Sequence, residues 1–253
     1  MENYDSVSAE NIRKNLKTKD RLILSMDVPA KNEVLSILRE LENSISTIKI
    51  GLELIYNEGT EIIKTVTGCG YKVLLDAKLM DIPNTIAGAL RGISKLGVNM
   101  ITIHAFGGSG MLLRAKEELV SNSDKNNQVP PLLFGVTVLT SLDDSDLNAF
   151  GFSTNYANVV KNLSGTAIKS KIDGIICSPN EVSMLRESFG NNFLIATPGI
   201  RLPEDDAGDQ KRFNTPEKAI ENGADFIIVG RPIIKSADKI GTVKNYLDRM
   251  EGR

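Results

Sequence analysis

The chain has 253 residues, a length that suits one large domain or two small ones. Its 30 Lys and Arg stand against 32 Asp and Glu, and a formal net charge of -2 gives no sign of a nucleic-acid partner. No apolar run reaches the roughly 18 residues of a membrane span, and Cys69 and Cys177 lie too far apart for a metal-ligand spacing. They read as free thiols of a reducing, cytoplasmic compartment.

Met1 to Asp20 is polar and charged, unlike a signal peptide. Its helical candidate is Ala9–Leu16, where Ile12 and Leu16 stand at i, i+4 spacing and are expected to pack across one end of the fold. Residues 1–20 therefore read as an N-terminal extension and 21–253 as the main body. In that body short apolar, β-branched runs recur: Leu22–Asp27, Ile45–Ile50, Lys72–Lys78, Asn99–His104, Leu132–Val138, Asp173–Ser178, Phe193–Pro198 and Asp225–Gly230. Helical periodicity fills the gaps, at Glu33–Leu41, Leu54–Val66, Thr85–Leu96, Met111–Val120, Tyr156–Ile168, Glu181–Phe189, Pro216–Asn222 and Ser236–Met250. Strands alternating with helices imply parallel pairing through right-handed crossovers. Eight such units in this length predict an α/β fold of the (β/α)8 TIM-barrel class, one domain with a short helical extension. A doubly wound open sheet is the rival; no Gly-x-Gly-x-x-Gly follows the first strand to support it.

A barrel carries its chemistry at the C-terminal ends of its strands. Four of the runs place a charge or an imidazole there: Asp27, Lys49, the pair Asp76 and Lys78, and His104. Alternation turns Ile23, Ser25 and Asp27 to one face and Leu22, Leu24 and Met26 to the other. The same parity sets Thr47 and Lys49 against Ile48 and Ile50, and Thr102 and His104 against Ile101 and Ile103. The densest stretch is Asp76-Ala77-Lys78-Leu79-Met80-Asp81, followed by the turn Ile82-Pro83-Asn84-Thr85. Asp76 and Lys78 share a face, Asp81 follows the strand end, and three such charges in one place perturb one another's proton affinities. A solvated rim salt bridge is the plainer explanation of Asp-x-Lys taken alone.

The opposite side of the mouth looks built for phosphate. Pro198-Gly199-Ile200-Arg201 follows the seventh strand, Gly208-Asp209-Gln210-Lys211-Arg212 comes soon after, and Gly230-Arg231 ends the eighth. Barrels often hold phosphate with these two loops, glycine lets backbone N–H groups come close, and arginine presents a planar fork. Thr140 and Ser141, after the fifth strand, could offer hydroxyls to the middle of a ligand. Leu202–Asn214 has few apolar residues and reads as a lid.

Together these strings resemble the orotidine 5'-phosphate decarboxylases. The matching pieces are Met26-Asp27, Lys49-Ile50-Gly51, Asp76 through Thr85, His104-Ala105-Phe106-Gly107-Gly108, Leu139-Thr140-Ser141, Thr197 through Arg201, Gly208-Asp209-Gln210 and Val229-Gly230-Arg231-Pro232. They stand in the family's order and span almost everything from residue 20 onward. The resemblance implies decarboxylation of orotidine 5'-phosphate to uridine 5'-phosphate (UMP), with Lys49, Asp76, Lys78 and Asp81 as the charged catalytic set. It also implies a homodimer in which Asp81 and Thr85 reach the neighbouring site. Asp27 and Lys49 would hold ribose hydroxyls, Thr140 would sit near the pyrimidine, and Arg201, Gln210, Gly230 and Arg231 would hold the phosphate. No cofactor and no metal are implied, and no nucleic-acid or membrane partner. Where family members commonly carry Leu and then Phe-His inside the motif, this chain has Ala77 and Leu79-Met80, positions without charge chemistry. His104, the single histidine, is expected to orient neighbours, because Lys78 already supplies an acid. Two alternatives stay open: a Mg²⁺-dependent sugar-phosphate lyase of the same superfamily, and a non-catalytic phosphate-binding barrel.

Overall fold

Each of the eight apolar runs forms a strand. These are β1 (Leu22–Ser25), β2 (Thr47–Ile50), β3 (Lys72–Leu79), β4 (Met100–His104), β5 (Leu132–Val136), β6 (Gly174–Ile176), β7 (Leu194–Thr197) and β8 (Phe226–Val229). The computed structural model describes residues 8–126, 128–202 and 213–252. The strands pair in parallel in chain order, and β8 closes on β1 with Leu22 opposite Ile227. The open-sheet rival is thereby excluded. Most strands stop a residue or two short of the expected ends, because ladder pairing ceases where the chain turns outward at the mouth. A short helix, Asp144–Ala149, precedes Tyr156–Lys169 between β5 and β6, and the connection expected as one helix over Leu54–Val66 is two, Leu52–Glu58 and Glu61–Gly68. Gly59 caps the first at φ +68°, a left-handed conformation that ends a helix and that glycine adopts without strain.

Strand alternation sorts the core into two layers. Ile23, Leu74, Met100, Phe134, Leu194, Ala196, Phe226 and Ile228 fill the barrel interior. Their neighbours Leu22, Leu24, Ile48, Val73, Leu75, Ile101, Ile103 and Leu133 face the surrounding helices. Phe134 and Phe226 meet edge to face with ring centroids 6.2 Å apart. Gly174 makes room for them, since a Cβ there would lie 2.3 Å from the Phe134 ring. Each large apolar side chain so enclosed contributes about 1.5–3 kcal/mol over leaving it in water.

The N-terminal end of the barrel is closed. Helix Ala9–Asn15, capped by the Ser8 hydroxyl, lays Ala9, Ile12 and Leu16 against the interior cluster, as the i, i+4 spacing predicts. Arg13 on that helix donates to the Asp225 carboxylate and to the carbonyls of Asn191 and Phe193. Arg186 reaches the same carboxylate at 2.7 Å, and Asp225 Oδ2 also accepts the backbone N–H of Ile195 at 2.7 Å. That end is held by helix and ion pairs, and the charged strand-end residues lie at the opposite, C-terminal mouth. Among the described residues, no helix is long and apolar enough to cross a membrane.

Candidate active site

A cavity of about 230 Å³ opens at the C-terminal mouth. Its walls bring together Asp27, Lys49, Asp76, Lys78, Thr140, Arg201, Gly230 and Arg231, contributed by strands or loops from opposite sides of the barrel. On one side the charges form a chain of alternating sign. Lys49 Nζ lies 3.3 Å from Asp27 Oδ1 and 3.3 Å from Asp76 Oδ2, and Lys78 Nζ lies 2.8 Å from that same Asp76 oxygen. The Lys49 and Asp76 side chains are only 12% and 13% exposed, so solvent screens their contact weakly.

Burial and charge oppose each other here. Burial alone would drive the Lys49 ammonium down and the Asp76 carboxyl up. The carboxylates of Asp76 and then Asp27 outweigh burial at Lys49 and hold it above the ordinary lysine value. Lys49 and Lys78, with hydrogen bonds from Lys78 and Thr102, outweigh burial at Asp76 and hold it below the ordinary aspartate value. Both groups are therefore charged at neutral pH. Asp27 lies past the end of β1, where its Oδ2 accepts the Ser25 hydroxyl at 2.8 Å. Gly230 explains itself at this point, since a Cβ would lie 3.1 Å from Asp27 Oδ2 and 3.0 Å from Ser25 Cβ.

β3 does not run as a regular strand into the site. Leu75 pairs with Ile101 and Leu79 with Ile103, so Asp76, Ala77 and Lys78 together stand opposite the single residue Thr102. Lys78 takes φ +46°, a left-handed conformation costly for a residue with a side chain. Its N–H donates to Thr102 Oγ1 at 2.9 Å, and that hydroxyl donates to Asp76 Oδ1 at 2.9 Å. Thr102 is 1% exposed and also lines the cavity. Alternation alone places it facing inward; its two hydrogen bonds depend on the bulge, which no residue pattern announces. Ala77 and Leu79 pack against the outer core, and Met80 is exposed.

On the far side Arg201 is buried and its guanidinium donates to the Ile200 carbonyl at 2.8 Å. A parallel bridge between Ile200 and Asn214 joins the two ends of the expected lid. Gln210 and most of that lid lie outside the described residues. Arg231 opens the short helix Arg231–Ile234 after Gly230. Thr140 is half-buried in the wall between the two sides.

Three expected site residues stand apart from this cavity. Asp81 and Thr85 are exposed and line none of it; Asp81 Oδ1 accepts the N–H of Ile82 at 2.6 Å. His104 has the inward parity of β4 but does not line the cavity, because the chain turns into a 3₁₀ helix at Ala105. Its ring rests 5.5 Å from that of Phe106, and Nδ1 is buried without a hydrogen-bond partner. Burial, then the Lys78 charge, lowers its proton affinity, so it is neutral at pH 7.

Residues 20–246 match the family model described as "Orotidine 5'-phosphate decarboxylase / HUMPS family". The chain belongs to that family. It is 41% identical over 236 residues to the orotidine 5'-phosphate decarboxylase of Carboxydothermus hydrogenoformans, covering 92% of this chain and 97% of that protein. It is 42% identical over 221 residues to the enzyme of the same name from Teredinibacter turnerae, covering 87% and 93%. Among solved structures, orotidine 5'-phosphate decarboxylase from Lactobacillus acidophilus superposes with a TM-score of 0.81 at 36% identity, covering 91% of this chain and 99% of that one.

Proposed function

We propose that this protein is a carboxy-lyase that converts orotidine 5'-phosphate to UMP and CO2 in de novo pyrimidine nucleotide synthesis. The observation that carries the reading is the Asp27–Lys49–Asp76–Lys78 chain, with Lys49 and Asp76 largely enclosed, at the mouth of a barrel of this family. The phosphate binds between Arg201 and Arg231, beside Gly230 and with Gln210 from the intervening segment. Asp27 and Lys49 take the ribose hydroxyls, and Thr140 takes the pyrimidine. That placement lays C6 and its carboxylate against Asp76 and Lys78.

The bond from C6 to the carboxylate carbon breaks, CO2 leaves, and the electron pair stays on C6. Lys78 stabilises that pair as an ammonium and then delivers its proton to C6. The resulting amine regains a proton from solvent. Asp76 crowds the substrate carboxylate before it departs. Two like charges at about 4 Å repel by about 4 kcal/mol at an effective dielectric near 20. Enzymes lower barriers by about 8–23 kcal/mol, so repulsion supplies a minor share. Stabilisation by a fixed ammonium must supply more, because Lys78 is held in place before the charge develops. Phosphate binding contributes where it orders the charged side chains around C6.

The working unit is a homodimer. Asp81, with Thr85, completes the site of the other subunit. Asp81's exposure outside its own cavity supports this, as do the exposed apolar side chains of Met80 and Ile82 on either side of it.

A spectrophotometric assay of orotidine 5'-phosphate loss tests the reading. Wild-type protein should turn over, and Lys78→Ala should be dead while still binding UMP. Near-normal turnover by Lys78→Ala would overturn the role given to this lysine. An inert wild-type protein would overturn the function.

A further inference from the structure

We infer that Thr102 is a positioning residue: its hydroxyl locks the Lys78 backbone and the Asp76 carboxylate into one rigid unit. The inference rests on the reading of Asp76 and Lys78 as the reacting pair. It begins from the bulge. Where three residues of β3 oppose one of β4, the N–H of Lys78 loses its partner in the ladder. A buried N–H without an acceptor is costly. Thr102 Oγ1 takes that N–H at 2.9 Å, from a side chain 1% exposed.

A threonine hydroxyl has one proton to give. Lys78 N–H can only donate, so that proton is free to go to Asp76 Oδ1, at 2.9 Å. The carboxylate is thereby turned so that Oδ2 faces the lysines. Lys78 Nζ sits 2.8 Å and Lys49 Nζ 3.3 Å from that oxygen. One hydroxyl thus governs both where the Lys78 side chain starts and which Asp76 oxygen its ammonium meets. β-Branching makes the side chain stiff about χ1, which suits a group that must hold two bonds at once. Catalysis by a preorganised ammonium depends on such fixation; a lysine on a mobile backbone would have to be ordered during the reaction.

The test compares Thr102→Val, Thr102→Ala and Thr102→Ser with wild type and Lys78→Ala. Valine keeps the shape without the hydroxyl, alanine loses both, and serine keeps the hydroxyl. The expected result is a kcat about 10- to 100-fold lower in both hydroxyl-free variants, the range set by one hydrogen bond to a charged group. KM and UMP affinity should stay within about threefold, because Thr102 grips neither phosphate nor ribose. Serine should restore kcat to within about threefold of wild type. A valine variant as fast as wild type would overturn the inference, and so would a serine variant as slow as valine. If wild type turns over and Lys78→Ala does not, either result sinks only the role of Thr102. Should both hydroxyl-free variants fail to fold, amide exchange in the wild-type protein replaces them. A Lys78 N–H exchanging at the free-peptide rate would refute the bond, and a protected one would support it.

Discussion

Asp76→Asn should unbalance the charge chain more than any other single neutralisation. In wild type Asp76 Oδ2 serves two ammoniums, at 2.8 Å and 3.3 Å. At an effective dielectric near 20 those contacts are worth about 6 and about 5 kcal/mol before desolvation is charged against them. The variant leaves Lys49 and Lys78 facing each other across a neutral amide, with Asp27 as Lys49's remaining counter-ion. Breaking a buried pair costs about 3–5 kcal/mol. The lower end, about 3 kcal/mol, is expected because the Lys78 side chain is 33% open to solvent. Urea unfolding at fixed protein concentration reads it as a lower midpoint with an unchanged slope. The pH dependence has a definite sign. The folded-state value of Asp76 is depressed, so its contribution is present above the ordinary aspartate value and is lost as pH falls through the depressed one. The gap between wild type and variant should be full at pH 7 and close below the ordinary carboxylate range. Lys78→Ala should cost less than Asp76→Asn, because it leaves Asp76 paired with Lys49. The double variant should recover part of the Asp76→Asn loss. An Asp76→Asn protein as stable as wild type at pH 7, or a gap that widens in acid, would refute this account of the array.

Three further outcomes follow from the site. Arg231→Ala should lower kcat/KM about 10- to 150-fold with the phosphorylated substrate, the range set by one lost charged contact to phosphate, and far less with the nucleoside; equal losses would make Arg231 structural. Activity should survive exhaustive EDTA treatment, since the Lys78 ammonium beside Asp76 can supply the positive charge the developing carbanion needs; loss that Mg²⁺ restores would favour the sugar-phosphate lyases. Lys78→Ala and Asp81→Ala homodimers, each nearly dead, should regain about a quarter of wild-type activity when unfolded, mixed equally and refolded, because about half the dimers are mixed and each then holds one intact site; no recovery in demonstrated mixed dimers would place Asp81 in its own subunit's site.

What could be read from the chain was whatever follows period. Ile23, Leu74, Met100 and Phe226 face the barrel interior because alternation puts them there, and Ile12 and Leu16 close the bottom because i and i+4 share a helix face. Lys49 and Asp76 fall on the same inward rows, so alternation alone predicts the heart of the charge chain. His104 had the same parity and yet lies outside the cavity, because parity says nothing about where a strand gives way to a turn. Gly59 splits a helix that apolar spacing had joined, since spacing alone does not register a backbone at φ +68°. Alternation puts Ser25 on the inward row but does not predict its hydrogen bond to Asp27, because a hydroxyl's partner is a matter of ångströms.

The Lys78 backbone is the clearest case of a feature that pattern cannot reach. Regular alternation predicts that Asp76 and Lys78 share a face, and they do, though by an irregular path. Three residues of β3 stand where one of β4 stands, and the lysine carries φ +46°. Lysine has no preference for that region, and such a conformation costs on the order of 1–3 kcal/mol. Something in the surrounding fold must offset it. The interior below Leu74 is apolar and filled, and the far end of the barrel is stapled through Asp225. Those layers hold β3 and β4 in register up to Leu75 and Ile101, so the departure is confined to the few residues above them. Stability thus resides in the lower barrel, and the strained, charged turn sits at the open end. A residue there can be held in an unfavourable conformation only while Thr102 accepts its N–H and Asp76 holds its ammonium. The strain and the charge chain are one arrangement, and a substitution that relaxes the first should loosen the second.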